Sequence, residues 1–324
     1  MIPLRTSIPS KNFPVVNTAL IAINVVMFGV ELLHGSGADL HRFIYVYGLV
    51  PARYTLAGGA ADVTLFQQGI ALLSFMFLHG GWLHLGFNML FLYIFGDNVE
   101  DRLGPFRYTA FYLLCGLISG LSQLALNPYS TGPTIGASGA IAGVMGAYIL
   151  LHPRARILTL IPIVFIPWMV EIPAFFFIGL WFLIQILNAS GGSAAASNIA
   201  WWAHIGGFIC GMILLKLLAA IPAAGITAQV RKATTRKKSH RFQMARPAPM
   251  QPDRDTQATL TISAYEAQAG TRKLISVPYG LQRRMYRVNV PSGMQTGKKL
   301  RLTGQGMPRS DGSRGDLILN VLVR

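Results

Sequence analysis

The chain has 324 residues, of which 52% are hydrophobic and only 12% are charged. Soluble domains carry about 25% charged residues, so this composition excludes an ordinary soluble protein and indicates a membrane protein. The formal net charge of +16 is uneven, because residues 1–220 are close to neutral (net +2) whereas residues 221–324 are strongly basic (net +14).

Six apolar stretches approach the length of about 20 residues that a bilayer crossing needs. They are residues 14–33, 82–99, 107–126, 136–151, 170–188 and 201–220. The first follows a short polar start and is not followed by a clear small-residue cleavage site, so we expect a retained anchor rather than a signal peptide. The sequence therefore predicts an α-helical membrane protein that crosses the bilayer six times.

One further apolar segment, residues 157–170, lies between the fourth and fifth spans and contains Pro162 and Pro167. Proline interrupts helices, so we expect an interfacial or re-entrant lead-in to the fifth span. A seventh crossing at this segment is the main alternative topology.

The distribution of basic residues orients the six spans, since Lys and Arg are enriched in cytoplasmic loops. Arg102 and Arg154 lie in connections on one side, and a basic run follows the sixth span. The connections 127–135 and 189–200 contain no Lys or Arg. Alternation therefore predicts that both termini are cytoplasmic and that the long loop 34–81 is outside.

Four polar residues converge at one depth of the predicted bundle. His84 and Asn88 open the second span four residues apart, Ser138 opens the fourth, and His204 lies near the start of the sixth. All three spans run from outside to inside, so these side chains are expected near the extracytoplasmic end. Each of them alone can be explained as a structural residue that packs or forms a hydrogen bond between helices. Polar side chains in spans are costly, however, and the shared depth of these four favours a functional site.

Small residues flank these polar side chains and predict a close approach of the fourth and sixth helices, because small residues let helix backbones come together. We expect this helix packing at Gly136, Gly139, Gly143 and Gly146 on the fourth span and at Ala203, Gly207 and Gly211 on the sixth. A hydrogen bond between Ser138 and His204 requires such an approach.

This arrangement predicts nucleophilic catalysis by a serine–histidine dyad. Ser138 is the candidate nucleophile and His204 the general base that takes its proton. His84 and Asn88 are candidate hydrogen-bond donors to the oxyanion, and one such donor is typically worth about 3–4 kcal/mol. No membrane-embedded acid is placed to orient His204, so the expected site is a dyad rather than a triad.

Other hydrolytic chemistries lack the residues that they need. No H-E-x-x-H motif occurs, so we expect no catalytic zinc. Asp97 has no carboxylate partner in another span, and Ala140 occupies a position where the G-x-S-x-G elbow needs glycine. Cys115 and Cys210 lie in apolar stretches and indicate neither a disulfide framework nor a metal site. We therefore expect neither a metal nor another cofactor.

The membrane part resembles the rhomboid intramembrane serine proteases over roughly residues 12–220. The resemblance rests on three stretches, "FMFLHGGWLHLGFNMLFLYIFGDNVEDRLG" (75–104), "GASGAIAGVMGAY" (136–148) and "AHIGGFICG" (203–211). It implies a six-helix bundle around an outward-facing, water-filled cavity, and with it we expect the inner membrane of a bacterium. It also implies that membrane-anchored proteins are cut within or near a transmembrane segment, with the roles given above for the dyad and the oxyanion donors.

Two departures from the family pattern affect the surroundings of the dyad. Members often carry an aromatic residue one turn after the serine, stacked on the catalytic histidine, but Ala142 occupies this position here. The Trp-Arg pair often found in the first loop is also absent. The loop 188–197 is either a lid or a plain connector, and the aromatic residues around 175–182 are either lipid-facing or part of a substrate gate.

Residues 221–256 are predicted to form a basic juxtamembrane linker, which is typical of a segment that contacts anionic lipid. Nucleic acid is the lesser alternative, because no aromatic residues interleave the basic ones as a stacking surface.

From residue 257 the pattern alternates with period 2, as in "ATLTIS", "RKLISV", "YRVNV", "KLRL" and "DLILNVLV". This predicts a small, soluble all-β domain over 257–324. The stretches "NVPSGMQTGKKLRLTGQGMP" (289–308) and "RGDLILNV" (314–321) resemble the C-terminal β domain of DnaJ-type co-chaperones. That resemblance implies binding of unfolded cytoplasmic segments, although a purely stabilising module is the alternative.

Taken together, the sequence predicts a six-span rhomboid-like protease domain (1–220), the basic linker (221–256) and a DnaJ C-terminal-like domain (257–324). The predicted activity is that of a serine-type endopeptidase that cleaves membrane-anchored proteins through an acyl-enzyme. The alternative function is that of a non-catalytic quality-control adaptor or chaperone that binds transmembrane clients with the same bundle.

Overall fold

A computed structural model describes most of the chain, and its described residues fall into two compact units. They are residues 1–56, 62–163, 166–191, 199–221, 229–230, 233–235, 239, 242–244, 255–279, 282–308 and 313–324. One unit comprises residues 1–4 and 12–234, and the other comprises residues 5–11 and 235–324. Each unit is described by itself.

The first unit is dominated by helices. In chain order its elements are β1 (Ile2–Thr6, of which residues 2–4 belong to this unit), α1 (Val15–Leu33), α2 (Ala38–Tyr47), α3 (Ala52–Thr55), α4 (Leu65–Ser74), α5 (Trp82–Leu103), α6 (Pro105–Leu126), α7 (Ser138–Leu151), β2 (Arg156–Ile163), β3 (Ile166–Pro173), α8 (Ala174–Ser190) and α9 (Trp201–Ala220). Helices α1 and α5 to α9 lie where the six spans were predicted.

The six helices differ in how far they could reach across a bilayer. Within the described residues, α1, α6 and α9 are each long and apolar enough to cross a membrane. Helix α5 passes the same test together with the segment Leu65–Phe77, from which it is bent by 75°. Helices α7 and α8 are apolar but shorter, with 14 and 17 residues. The chain is therefore a multi-pass helical membrane protein, and the number of six crossings stays a prediction.

The long loop 34–81 is more structured than the sequence interpretation suggested. It contains α2, α3 and α4, and a short 3-10 turn at Phe75–Phe77 connects α4 toward α5. Thr64 caps α4 by accepting a hydrogen bond from the backbone N–H of Gln67, whose side chain bonds back to Thr64. This reciprocal capping box satisfies two backbone donors that the helix leaves free.

The apolar lead-in between the fourth and fifth spans forms two antiparallel strands rather than a further helix, and its interfacial or re-entrant position stays a prediction. β2 pairs antiparallel with β3, and Pro162 is opposite Pro167. The three-stranded sheet has the order β1-β2-β3. Because proline interrupts a helix while β-branched residues favour strands, the same apolar composition folds here as a hairpin.

Polar side chains near the start of α1 bond this helix to its neighbours α5 and α6. Glu100 accepts hydrogen bonds from the backbone N–H groups of Val16 (3.1 Å) and Asn17 (2.8 Å). The first N–H groups of a helix have no partner within it, so this carboxylate caps α1 from α5. The buried Asn17 side chain donates to the Leu92 carbonyl (3.0 Å) and accepts from the Tyr108 hydroxyl (2.7 Å). One asparagine thereby links α1, α5 and α6.

The described residues of the second unit form two three-stranded sheets. Its elements are β4 (Phe242–Met244), β5 (Thr256–Ile262), α10 (Ala264–Ala269), β6 (Thr271–Tyr279), β7 (Gln282–Val290), β8 (Lys299–Leu302) and β9 (Leu317–Val323). The sheet orders are β4-β6-β7 and β5-β9-β8. Alternate residues of the strands, such as Leu260, Leu317 and Leu319, are buried in one core. The five predicted strands are present.

Two elements of this unit depart from the sequence interpretation. The domain was predicted as all-β, but α10 forms one short helix, which Ser263 and Glu266 close with a capping box. The residues 242–244, within the predicted linker, form β4 and pair in parallel with β6. Most of the remaining linker lies outside the described residues.

A buried ion pair stabilises the capping box. Lys273 is 1% exposed and Glu266 is 2% exposed, and their side chains are in direct contact. Burial alone would raise the pKa of Glu266, but the ion pair with Lys273 and hydrogen bonds from Ser263 and Ser239 outweigh it and hold this pKa below its usual value.

Candidate active site

Ser138 is the first residue of α7, and its side chain is half-buried. The loop before it is held in place by a hydrogen bond from the Gly136 N–H to the Phe75 carbonyl (2.9 Å). The first turn of a helix presents N–H groups that have no partner within the helix, and these favour negative charge. The hydroxyl of Ser138 therefore lies at a helix end that is suited to an anionic intermediate.

His204 in the first turn of α9 contacts this serine directly. Its Nε2 lies 2.7 Å from Ser138 Oγ, although the two residues are 66 positions apart in the chain. The distance is that of a good hydrogen bond between an imidazole and a hydroxyl. The structure thus brings together the two residues that the sequence analysis singled out as nucleophile and base.

Close packing of α7 against α9 permits this hydrogen bond. A Cβ added to Gly207 would lie 2.9 Å from the carbonyl carbon of Gly139, and one added to Gly211 would lie 2.5 Å from two backbone atoms of Gly143. Both distances are shorter than ordinary contacts, so any side chain at these positions would force the helices apart. Gly146 of α7 likewise faces Phe208 of α9, so five of the expected packing glycines lie at this contact.

Gly136 has a different role from the expected one in helix packing, which is a correction to the sequence interpretation. It precedes α7 with φ of +123°, a conformation that favours glycine. A Cβ at this position would lie 2.8 Å from Nε2 of His84 and 3.6 Å from Ser138 Oγ. The missing side chain therefore makes room for the His84 ring beside Ser138.

The proton of the His84 ring can be assigned from its backbone partner. The N–H of Gly80 donates to His84 Nδ1 at 3.3 Å. An N–H group can only donate, so Nδ1 is the acceptor and the ring hydrogen of neutral His84 is at Nε2. Nε2 is the atom near Gly136 and Ser138, which gives the site a donor at this position.

Asn88 is buried one turn after His84. Its amide nitrogen donates to the His84 carbonyl at 2.9 Å. One amide hydrogen is used in this bond, which fixes the orientation of the side chain and leaves the second hydrogen for another acceptor. The four predicted polar residues thus come from α5, α7 and α9 at one end of the bundle.

Gln185 of α8 is a site residue that the sequence analysis missed. It is 4% exposed, and its Oε1 lies 2.8 Å from Nδ1 of His204. A glutamine in an apolar span is itself a costly polar residue, so this was the signal that could have identified it. This contact holds the His204 ring at Nδ1, the nitrogen that faces away from Ser138.

Aromatic rings from α8 and α9 also contact His204. The ring centroid of Trp181 lies 5.8 Å away at 37°, and that of Trp201 lies 6.2 Å away at 89°. Ala142, the position at which the family often has an aromatic residue, is fully buried. Ring contacts to His204 therefore come from α8 and from α9 itself rather than from α7.

The other aromatic residues of α8 divide between two environments. Phe175 and Phe176 are more than half exposed, as lipid-facing residues would be, whereas Phe177 is buried. Phe182 stacks on Phe208 of α9 at 4.2 Å. The predicted lid, residues 188–197, lies largely outside the described residues.

Glu31 near the end of α1 is a second residue that sequence reasoning did not single out. Both of its carboxylate oxygens accept from the backbone N–H of His79, at 2.9 and 3.2 Å. His79 and the following Gly80 precede α5, so Glu31 holds the segment whose N–H bonds His84. Within the described residues, no group of three or more His, Cys, Asp or Glu side chains is placed to hold a metal.

Comparisons with known proteins agree with both resemblances. The family model of the rhomboid domain matches residues 67–221, and that of the DnaJ C terminal domain matches residues 250–324. The chain is 30% identical over 216 residues to Rhomboid protease GluP of Bacillus subtilis, which covers 65% of this chain and 36% of that protein.

Organellar proteins are similar to a comparable degree. Identity is 29% over 202 residues with Rhomboid protein 1, mitochondrial, of Saccharomyces cerevisiae, covering 60% of this chain and 51% of that protein. It is 28% over 168 residues with Rhomboid-like protein 11, chloroplastic, of Arabidopsis thaliana, covering 49% and 55% respectively. The chain thus spans about a third to about a half of the length of these relatives.

Proposed function

Because the chain carries a rhomboid domain followed by a DnaJ C-terminal domain, we propose that it is an intramembrane serine endopeptidase. Its substrates would be membrane-anchored proteins, cut within or near a transmembrane segment. The observation that carries this proposal is the 2.7 Å contact between Ser138 Oγ and His204 Nε2. A hydroxyl bonded to an unprotonated imidazole nitrogen is the arrangement that generates a serine nucleophile.

In the proposed reaction, Ser138 Oγ attacks the carbonyl carbon of the scissile peptide bond while His204 Nε2 takes the hydroxyl proton. The tetrahedral intermediate carries an oxyanion, to which the Nε2–H of His84, the amide of Asn88 and the backbone N–H of Ser138 donate. His204 then protonates the leaving amine, the C–N bond breaks, and an acyl-enzyme ester remains.

Water completes the cycle. His204 takes a proton from the attacking water, a second tetrahedral intermediate forms, and the ester bond to Ser138 breaks. The product leaves as a carboxylic acid, which ionises, and His204 returns the proton to Ser138 Oγ. No metal or other cofactor takes part in this scheme.

Cleavage of a single-span reporter by the full-length protein in proteoliposomes tests the proposal. We expect Ser138→Ala and His204→Ala each to abolish cleavage and to prevent labelling of Ser138 by a fluorophosphonate. Ser122→Ala is the matched control, because this serine lies in α6 and bonds to the Ile118 carbonyl at 2.8 Å rather than to His204. Cleavage by both Ser138→Ala and His204→Ala would disprove the assignment.

The alternative of a non-catalytic adaptor gives the opposite result in this experiment. An adaptor would bind the reporter equally well with or without the Ser138 hydroxyl, and the wild-type protein would leave it intact. The paired nucleophile and base, bonded across two helices, support the enzyme.

We also propose the predicted organisation and orientation, namely a protease domain (1–220), a basic linker (221–256) that contacts anionic lipid, and a cytoplasmic β domain (257–324). The charge distribution supports a cytoplasmic position of both termini. The proposed membrane is the inner membrane of a bacterium, with the dyad near its outer face. The β domain would then retain unfolded cytoplasmic segments of clients and raise their local concentration. Deleting residues 256–324 should weaken cleavage of clients that have such segments and spare those that lack them; equal effects would refute this role.

A further inference from the structure

His204 is held from both sides of its ring by side chains of two other helices. Nε2 contacts Ser138 Oγ of α7 at 2.7 Å, and Nδ1 contacts Gln185 Oε1 of α8 at 2.8 Å. Each ring nitrogen of a neutral histidine is either donor or acceptor, and the two roles are opposite. The nature of the partner at Nδ1 therefore decides what Nε2 can do toward the serine.

The orientation of the Gln185 amide follows from its second contact. The amide nitrogen donates to the backbone carbonyl of Trp181 at 2.9 Å. A carbonyl oxygen cannot donate, so the reversed amide would put two acceptor oxygens against each other. The amide oxygen must consequently face His204, and this oxygen requires a hydrogen on Nδ1.

With its hydrogen on Nδ1, the ring presents a lone pair at Nε2 and can take the proton of Ser138. The other tautomer would carry a hydrogen at Nε2 and could not act as a base there. The backbone of α8 thus selects the base-competent tautomer through one amide, in the same way that asparagine does in cysteine–histidine–asparagine proteases.

We propose that Gln185 is the positioning residue of the site, forming with Ser138 and His204 a triad with a neutral third member. This inference rests on the proposed protease function. When His204 takes the proton of Ser138, the Nδ1–H bond to Gln185 becomes charge-assisted and stronger. A neutral amide gives this support without placing a second charge within the membrane domain, where an unpaired carboxylate would be costly.

The same helix also supplies the ring contact that Ala142 does not. Trp181, one turn before Gln185, has its ring 5.8 Å from that of His204. Among the described residues, a titratable group beside the dyad is His84 of α5, whose ring nitrogen lies near Gly136. The orientation of His204 therefore depends on α8 through both an amide and a ring.

Three variants of the full-length protein in proteoliposomes test this inference. Gln185→Met keeps the length of the side chain but removes the acceptor, and Gln185→Glu keeps an acceptor at the same position. Asn188→Met is the matched control, because this amide lies on the same helix and bonds to the Ile184 carbonyl at 2.8 Å in the same manner. The readouts are kcat and KM, the pH–rate profile, and the rate and final extent of fluorophosphonate labelling.

We expect Gln185→Met to lower kcat about 10- to 100-fold, as loss of a partner that orients a functional histidine does in metal sites. KM and the final labelled fraction should stay at the wild-type level, while the labelling rate falls with kcat. Gln185→Glu should retain most of the activity and move the acidic limb of the profile to higher pH, because a carboxylate stabilises the imidazolium. Asn188→Met should match the wild type.

The outcomes separate this inference from the proposed function. Cleavage by both Ser138→Ala and His204→Ala would overturn the proposed function and, with it, the role of Gln185. An inactive Ser138→Ala together with a Gln185→Met that matches the wild type in kcat, labelling rate and pH profile would overturn only the role of Gln185. If Gln185→Met does not fold, Gln185→Glu decides between the two roles. An unmoved pH–rate profile would show that Gln185 is merely structural. A loss of activity that is proportional to the loss in the final labelled fraction would show the same.

Discussion

Replacing Gly207 by alanine tests whether the close approach of α7 and α9 sustains the contact between Ser138 and His204. Gly207 lies on the face of α9 that meets Gly139, the residue after Ser138. The added Cβ would lie 2.9 Å from the Gly139 carbonyl carbon, and its oxygen would be nearer still. Ordinary contacts of a Cβ begin at 3.4 Å, so the two helix backbones must separate.

The expected separation of the helices can be compared with the length of the hydrogen bond between Ser138 and His204. The helices must move apart on the order of 1 Å, since repulsion rises steeply below contact distance. A hydrogen bond of 2.7 Å between His204 and Ser138 would then exceed the usual range. A misplacement of about 1 Å in a catalytic site can cost about 100-fold in rate, and overpacking costs about 1–3 kcal/mol of stability.

Reporter cleavage in proteoliposomes and thermal unfolding in detergent measure the two effects. We expect Gly207→Ala to lower kcat/KM about 100-fold and to lower the unfolding temperature. Gly179→Ala is the control, because a Cβ on this glycine of α8 meets nothing within 4 Å. Equal activity of the two variants would refute the argument that close packing of these helices holds the dyad together.

Two further predictions concern stability. The pKa of Glu266 is held below its usual value in the folded state, so its contribution is complete above about pH 4.5 and is lost as the pH falls further. Glu266→Gln should cost about 3–5 kcal/mol near neutral pH, because the buried Lys273 loses the carboxylate that balances its charge. It should also flatten the acid dependence that hydrogen exchange measures in the second unit of the full chain. Asn17→Leu should cost about 2–5 kcal/mol in detergent unfolding, because the Tyr108 hydroxyl and a backbone carbonyl lose their partner; an unchanged midpoint would contradict the linking role of Asn17.

Local patterns of the sequence were sufficient to locate most elements. Apolar runs of span length coincide with α1 and α5 to α9, and period-2 alternation coincides with β5 to β9. The length of an apolar run indicates a membrane span, and alternation indicates which face of a strand is buried; both are properties of neighbouring residues in the chain. The hairpin at 156–173 escaped this reasoning, because an apolar run with prolines does not by itself distinguish a broken helix from a strand.

The candidate site could likewise be predicted in part from the sequence. Ser138, His204, His84 and Asn88 stand out in the sequence because polar residues are rare in spans and these four share one predicted depth. Their roles as nucleophile, base and oxyanion donors stay predictions. Depth follows from the position along each span and needs no knowledge of how the helices are arranged around one another.

The rotation and contacts of the helices were decided only by the tertiary structure. The sequence alone determined that a serine and a histidine lie at one end of an apolar bundle and that small residues permit close packing. It did not determine that Gln185 bonds Nδ1 of His204, that Glu31 holds the segment before α5, or that Gly136 makes room for His84. Each of these contacts joins residues far apart in the chain, and it depends on which faces of separate helices meet, which hydrophobic periodicity leaves undefined when a helix is apolar all round.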